Sequence, residues 1–173
     1  YNFDGSVMVT ASHLPFNRNG FKFFTCDGGL ESADIKSILA YAEGEETLNA
    51  KEGKIIKDEF MDTYAGILAD KIRKATGEEK PLKGFKIVVD AGNGAGGFYE
   101  KVLSDLGADT TGSQFLEPDG MFPNHIPNPE NKVAMEFIHN ATINNSCDLG
   151  VIFDTDVDRA SCVDEKGDEI NRN

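Results

Sequence analysis

Two short apolar runs, each closed by an aspartate, restrict the folds open to this chain more than any other feature. Phe85-Lys86-Ile87-Val88-Val89-Asp90 is almost continuously apolar, and Leu149-Gly150-Val151-Ile152-Phe153 leads straight into Asp154. A strand with one wet face alternates apolar and polar residues, whereas a strand covered on both faces does not. Unalternating strands of this length belong to a parallel sheet held between helical layers. Helical spacing supplies those layers. Phe60, Tyr64, Ile67, Leu68, Lys71, Ile72 and Ala75 recur at helical intervals, all but Lys71 apolar, with Gly77 where a left-handed C-cap belongs. A second helix is predicted from about Phe98 to Leu106, and a third is marked by Val133, Phe137, Ile138 and Ala141. A last strand is predicted over Ala160 to Val163, with a turn at Lys166-Gly167. The expected fold class is α/β, a three-layer α/β/α arrangement with a mostly parallel sheet.

Upstream of Phe60 the pattern is weaker. Residues 7–10 predict a short buried strand, and Phe21 to Phe24 predict another. Ser32 is the expected N-cap of a helix whose apolar stripe is Ile35, Ile38, Leu39 and Ala42. Gly44 to Lys57 is charged and aperiodic, and reads as a linker. The chain opens on Tyr1 rather than Met, so it is expected to be part of something longer.

Charge narrows the classes of partner. Asp and Glu number 30 against 17 Lys and Arg, a formal charge of -13. So acidic a chain repels nucleic acid and anionic membranes, and no apolar run approaches the roughly 20 residues of a membrane helix. Three scattered cysteines without a C-x-x-C predict buried thiols in a reducing compartment. The cytoplasm is expected, and a plastid stroma would look the same.

Three groups of residues could carry chemistry. Thr10-Ala11-Ser12-His13-Leu14-Pro15 follows a strand, with Asn17, Asn19, Gly20 and Lys22 after it. On spacing alone a solvated turn is the plainer reading, because adjacent Ser and His rarely pair as nucleophile and base. Asp154-Thr155-Asp156-Val157-Asp158-Arg159 follows a buried strand. Three carboxylates that close together repel one another without a cation, and hard divalent ions take such oxygen clusters. The loop lies where open α/β sheets bind ligands, and Arg159 adds an anion partner, which favours a metal over an acidic surface loop. Gly92-x-Gly94-x-x-Gly97 matches the dinucleotide fingerprint in form, which keeps a dinucleotide-binding oxidoreductase as an alternative. The fingerprint wants an acidic residue about 20 positions on, at a strand end. Asp109 is too near and precedes no convincing strand, so a tight strand-to-helix turn is preferred.

Taken together, these groups resemble the α-D-phosphohexomutases (phosphoglucomutase/phosphomannomutase). Thr10-Ala11-Ser12-His13 with Asn19-Gly20-Phe21-Lys22 resembles that family's phosphoserine loop. Val88 to Gly94 resembles the strand and turn opening its second domain. Phe122-Pro123-Asn124-His125 with Pro127-Asn128-Pro129-Glu130 resembles its proline-rich loop, and Asp154 to Arg159 its metal loop. The resemblance implies one complete domain plus part of a preceding similar one: residues 1–56 the back of domain I, 57–168 domain II and 169–173 the start of domain III. It implies that Ser12 carries the phosphoryl group and that Asp154, Asp156 and Asp158, with the phosphoserine, bind Mg²⁺. Arg159 would contact the phosphate, while His13 and Lys22 would assist proton transfer. The implied substrates are a hexose phosphate and a hexose 1,6-bisphosphate. This stretch alone is expected to be inactive, because the family's third and fourth domains hold the sugar and its phosphate. Two departures stand out. Thr155 and Val157 replace the glycines usual between the aspartates, and Leu14 replaces the asparagine usual after Ser-His. They keep a second alternative in view: a non-catalytic relative that binds Mg²⁺ or a sugar phosphate.

Overall fold

β4 (Ile87–Asp90) is buried at all four positions, and the second half of the chain is arranged around it. The computed structural model describes residues 2–44 and 52–170. They fall into two units, Tyr1–Ala11 with Asn17–Asp58, and Ser12–Phe16 with Glu59–Asn173. In the second unit β4 pairs in parallel with β5 (Leu149–Phe153), and β5 pairs antiparallel with β6 (Ala160–Val163). On its other edge β4 meets Asp109 and Gln114 through parallel bridges. Ile87 N–H donates to the Asp109 carbonyl and Gln114 N–H to the Val89 carbonyl, so β4 is hydrogen-bonded on both sides.

Helices cover both faces of this sheet. On one, α4 (Lys132–Asn144) sets Ala134, Ile138 and Ala141 against Val88, Ile152 and Val163. On the other, α3 (Phe98–Asp105) and the Leu106–Ala108 turn meet Ile87, Val89, Val151 and Phe153. Behind α3 lies α2 (Met61–Thr76), ending at Gly77 with φ 75° as its spacing predicts. Its packed face is Ala65, Leu68, Ala69 and Ile72, while Tyr64 and Ile67 are 42% and 44% exposed. The small alanines let α2 approach α3 closely, and that shifts the buried face from the larger residues the spacing picks out. The result is the expected α/β/α layering.

The first unit holds an antiparallel sheet of β1 (Ser6–Val9), β2 (Phe21–Thr25) and β3 (Gly28–Gly29), followed by α1 (Ser32–Glu43). Of the strand expected to be buried at 7–10, Val7, Met8 and Val9 are exposed on β1, and Thr10 lies beyond it, half-buried. Val7 stands opposite Phe23 and Val9 opposite Phe21, so four apolar side chains share a face. Among the described residues of this unit none is buried, because no second layer closes over the sheet. The N-cap of α1 is Glu31 rather than Ser32, and Glu31 N–H donates to Asp34 Oδ2 at 3.1 Å. In the expected linker, 52–57 are exposed without regular structure, and 45–51 lie outside the described residues, as do 171–173. Cys147 is buried and Cys162 half-buried, but Cys26 is exposed, against the expectation of buried thiols. No helix among the described residues is long and apolar enough to cross a membrane.

The α4 face is the firmest test of this core. Replacing the fully buried Ile138 with Ala should lower stability by about 2–5 kcal/mol, seen in urea as a lower midpoint at unchanged slope. A shift below about 0.5 kcal/mol would mean that α4 does not cover the sheet as described.

Candidate functional site

The acidic residues occupy the connection between β5 and β6. Phe153 and Ala160 are paired, so Asp154–Arg159 is a hairpin loop at the carboxyl end of β5. The loop is closed by its first and last residues. Asp154 N–H donates to the Arg159 carbonyl at 3.1 Å, and Arg159 N–H returns to Asp154 Oδ1 at 3.1 Å. Arg159 Nε also donates to Asp154 Oδ2 at 3.1 Å. Both carboxylate oxygens of a fully buried aspartate are thereby satisfied.

The other two aspartates lie inside that closure. Asp154, Asp156 and Asp158 each bring an oxygen within 4.8 Å of the others. Burial pushes the Asp154 carboxyl above its ordinary range, Arg159 pulls it back down, and Asp158 and Asp156 push it up further. Thr155 Oγ1 is buried on the same loop without a hydrogen-bond partner among the described residues. An all-oxygen set carrying concentrated negative charge fits a hard divalent cation and not a soft one.

Arg159 also reaches the serine loop. Its Nη2 lies 3.5 Å from Ser12 Oγ and in close contact with His13 Nδ1. Ser12 Oγ is 3.3 Å from the same Nδ1, and Ser12 has φ 55°, a left-handed conformation uncommon outside glycine. Arg159 further faces Asp158 Oδ1 at 3.8 Å and Glu130 Oε1 at 3.9 Å. Pro129, Glu130, Asp158, Arg159 and Ala160 line an open cavity of about 340 Å³. Ser12, His13, Asp154, Asp156, Asp158 and Arg159 are thus gathered within the second unit. Lys22 is not, since it stands on β2 of the first unit opposite Met8.

The two departures in the acidic loop differ in kind. Thr155 keeps an ordinary φ, but Val157 has φ 66°, a genuine outlier for a β-branched residue. Its side chain packs against the sheet cluster of Ile87, Val89 and Phe153, and this contact holds the strained backbone.

The glycine run packs against protein. A Cβ on Gly94 would lie 2.8 Å from the Thr155 carbonyl oxygen, and one on Gly97 2.0 Å from that of Leu116. Ala95 N–H donates to the Thr155 carbonyl at 2.9 Å, so this turn buttresses the acidic loop where a dinucleotide reading would put a pyrophosphate. Sequence reasoning missed Asn93 and the pair Asp90–His125. Asn93 (φ 60°) holds the proline-rich loop through Glu117, Asp119 and Asn124. Asp90 accepts from buried His125 at 3.0 Å. The available signal was that Asp90, like Asp154, ends a buried strand.

The chain is similar to known proteins over most of its length. The family description "Phosphoglucomutase/phosphomannomutase, alpha/beta/alpha domain II" matches residues 59–167, and the corresponding domain I description matches 1–49. A phosphoglucomutase of Neisseria meningitidis is 33% identical over 166 residues, covering 95% of this chain and 34% of that protein. A phosphomannomutase/phosphoglucomutase of Pseudomonas putida is 33% identical over 162 residues, covering 93% and 33%. A crystal structure of a phosphoglucomutase/phosphomannomutase family protein from Burkholderia thailandensis superposes with a TM-score of 0.78 at 27% identity, over 98% of this chain and 35% of that one. The chain therefore spans about a third of the length of the relatives it matches.

Val157 provides a local check on the loop. At a left-handed position glycine is favoured over alanine, so V157G should be more stable than V157A by about 1 kcal/mol in thermal or urea unfolding. The opposite order would place Val157 in extended backbone.

Proposed function

The chain belongs to the phosphoglucomutase/phosphomannomutase family, and from that premise we propose that it carries the phosphoserine and metal loops of a hexose-phosphate mutase. The observation carrying this reading is that Arg159 meets both Asp154 and the Ser12-His13 loop. The proposed reaction moves a phosphoryl group between the 1- and 6-positions of a hexose phosphate. Phosphoserine 12 donates to the sugar hydroxyl: the serine O–P bond breaks as the sugar O–P bond forms, and the hydroxyl proton leaves to a protein base. The resulting hexose 1,6-bisphosphate turns over and returns its other phosphate to Ser12 Oγ.

Phosphoryl transfer is governed by positioning and charge, and a phosphate on Ser12 adds about -1.5 to -2 beside the acidic loop. Asp154, Asp156 and Asp158, with a phosphate oxygen on Ser12, would hold Mg²⁺, which when bound would offset that charge. Arg159 orients the serine loop and presents donors to the phosphate oxygens. His13 and Lys22 are the proposed proton carriers. The proposed domain limits remain 1–56, 57–168 and 169–173.

Mapping phosphopeptides of the native full-length protein tests this. Phosphate should be found on Ser12, fall after incubation with glucose 6-phosphate and Mg²⁺, and be absent from S12A. D156N should weaken Mg²⁺ binding at least about 10-fold, since even outer-shell changes at metal sites cost 10–100-fold. A Ser12 never modified, even after treatment with a hexose 1,6-bisphosphate, would overturn the reading.

A further inference from the structure

His125 and Asp90 are buried titratable groups with no part in the proposed chemistry, and both side chains are 0% exposed. His125 Nε2 lies 3.0 Å from Asp90 Oδ1, and its Nδ1 lies 3.0 Å from the Ile126 carbonyl oxygen. Asp90 is surrounded by donors: Gly92 N–H reaches Oδ1 at 2.8 Å and Gln114 Nε2 reaches Oδ2 at 2.7 Å. Both Asp90 oxygens thus act as acceptors. Both ring nitrogens therefore face acceptors, and only the imidazolium can donate to both. A neutral ring would leave one nitrogen lone pair against an oxygen in a site closed to water.

The ring is gripped on its faces as well. Phe115 meets it edge-on with centroids 5.5 Å apart, and Phe137 of α4 lies 5.1 Å away. A Cβ on Gly92 would come within 3.0 Å of the ring and 2.8 Å of Pro127, so this turn leaves the histidine no slack. Among the described residues packed around it from β4, the Gln114–Phe115 segment and α4, only Asp90 is charged.

The stretch that follows His125 borders the candidate site. Ile126, Pro127 and Asn128 line a cavity of about 420 Å³ with His13, Leu14, Pro15 and Phe16. Two residues further on, Glu130 faces Arg159. We propose that His125, as an imidazolium between Asp90 and the Ile126 carbonyl, is a positioning residue that pins residues 121–131 to the end of β4 and so sets the wall behind the serine loop. Its effect on phosphoryl transfer rests on the mutase reading above, but the pinning itself does not.

Burial alone would push the His125 pKa down, but the hydrogen bond and charge of Asp90 together with the hydrogen bond to the Ile126 carbonyl outweigh it, and the net shift is upward from 6.5. A raised folded-state value means that the pair stabilises fully below the ordinary histidine pKa, about 6.5. That contribution fades as pH rises through the higher folded value, so alkaline pH loosens the loop.

The test uses the full-length protein, with D90N as the mild variant and H125Q as the direct one. Nitrogen-15 NMR of the histidine rings should show both His125 nitrogens protonated at pH 7, and one of them deprotonated in D90N. Hydrogen exchange across residues 115–131 should speed up about 10-fold or more in both variants, with β4 and β5 still protected. kcat for hexose phosphate should fall about 10–100-fold, and in D90N the rate should decline at lower pH than in the parent. A singly protonated His125 in the parent at pH 7 would overturn the proposal. So would loop exchange unchanged in the variants, or looser exchange with kcat and pH profile unaltered. Should H125Q not fold, D90N decides alone. A parent protein without turnover would sink the mutase reading, and the ring protonation and loop exchange would still decide the pinning.

Discussion

The closure of the β5–β6 hairpin by Arg159 on Asp154 is the interaction on which the candidate site depends. A buried carboxylate needs hydrogen-bond donors, and Asp154 takes one from the Arg159 backbone and one from its guanidinium. The same contacts fix where Asp156 and Asp158 can lie. They also leave Nη2 of Arg159 directed at Ser12 and His13. One side chain thus sets both the spacing of the carboxylates and their relation to the serine. Three of the chain's 30 acidic residues are thereby gathered in one loop.

Support for that hairpin comes from the glycine turn after β4. Gly94 comes so close to Thr155 that no side chain fits between them, and Ala95 N–H bonds the Thr155 carbonyl. On its other side the turn receives the proline-rich loop through Asn93 and through His125 on Asp90. Two strand-end aspartates therefore do parallel work. Asp154 fastens the acidic loop through an arginine, and Asp90 fastens the proline-rich loop through a histidine. Both use buried carboxylates, whose cost of desolvation makes each partner hard to dispense with.

The second unit was legible from its sequence because its signals are local and strong. Unalternating runs at 85–90 and 149–153 indicated double-sided burial, and β4 and β5 are buried as expected, Leu149 at the strand's start only in part. Gly77 marked the end of α2 through its left-handed backbone. The first unit was read less well: the apolar run at 7–10 suggested burial, but burial depends on a covering layer that a strand's own residues do not specify. In the candidate site, the order of Asp154, Asp156, Asp158 and Arg159 was readable, and so was Ser12 as a loop serine, but it is half-buried rather than exposed. The left-handed φ of Val157 was not, because a β-branched residue argues against it and only packing on the sheet cluster enforces it. The pairing of Asp90 with His125 spans 35 residues and leaves no periodic trace.

The central claim is that the acidic loop and Ser12 form a single site for a cation and a phosphate. Its most direct test is phosphorus-31 NMR of the full-length protein phosphorylated on Ser12, titrated with Mn²⁺ in place of Mg²⁺. If the three aspartates hold the metal against the phosphoserine, its resonance will broaden beyond detection at stoichiometric Mn²⁺ and stay sharp in D156N. A phosphoserine signal that remains sharp in the parent protein while Mn²⁺ is bound would separate the two halves of the site and contradict the account.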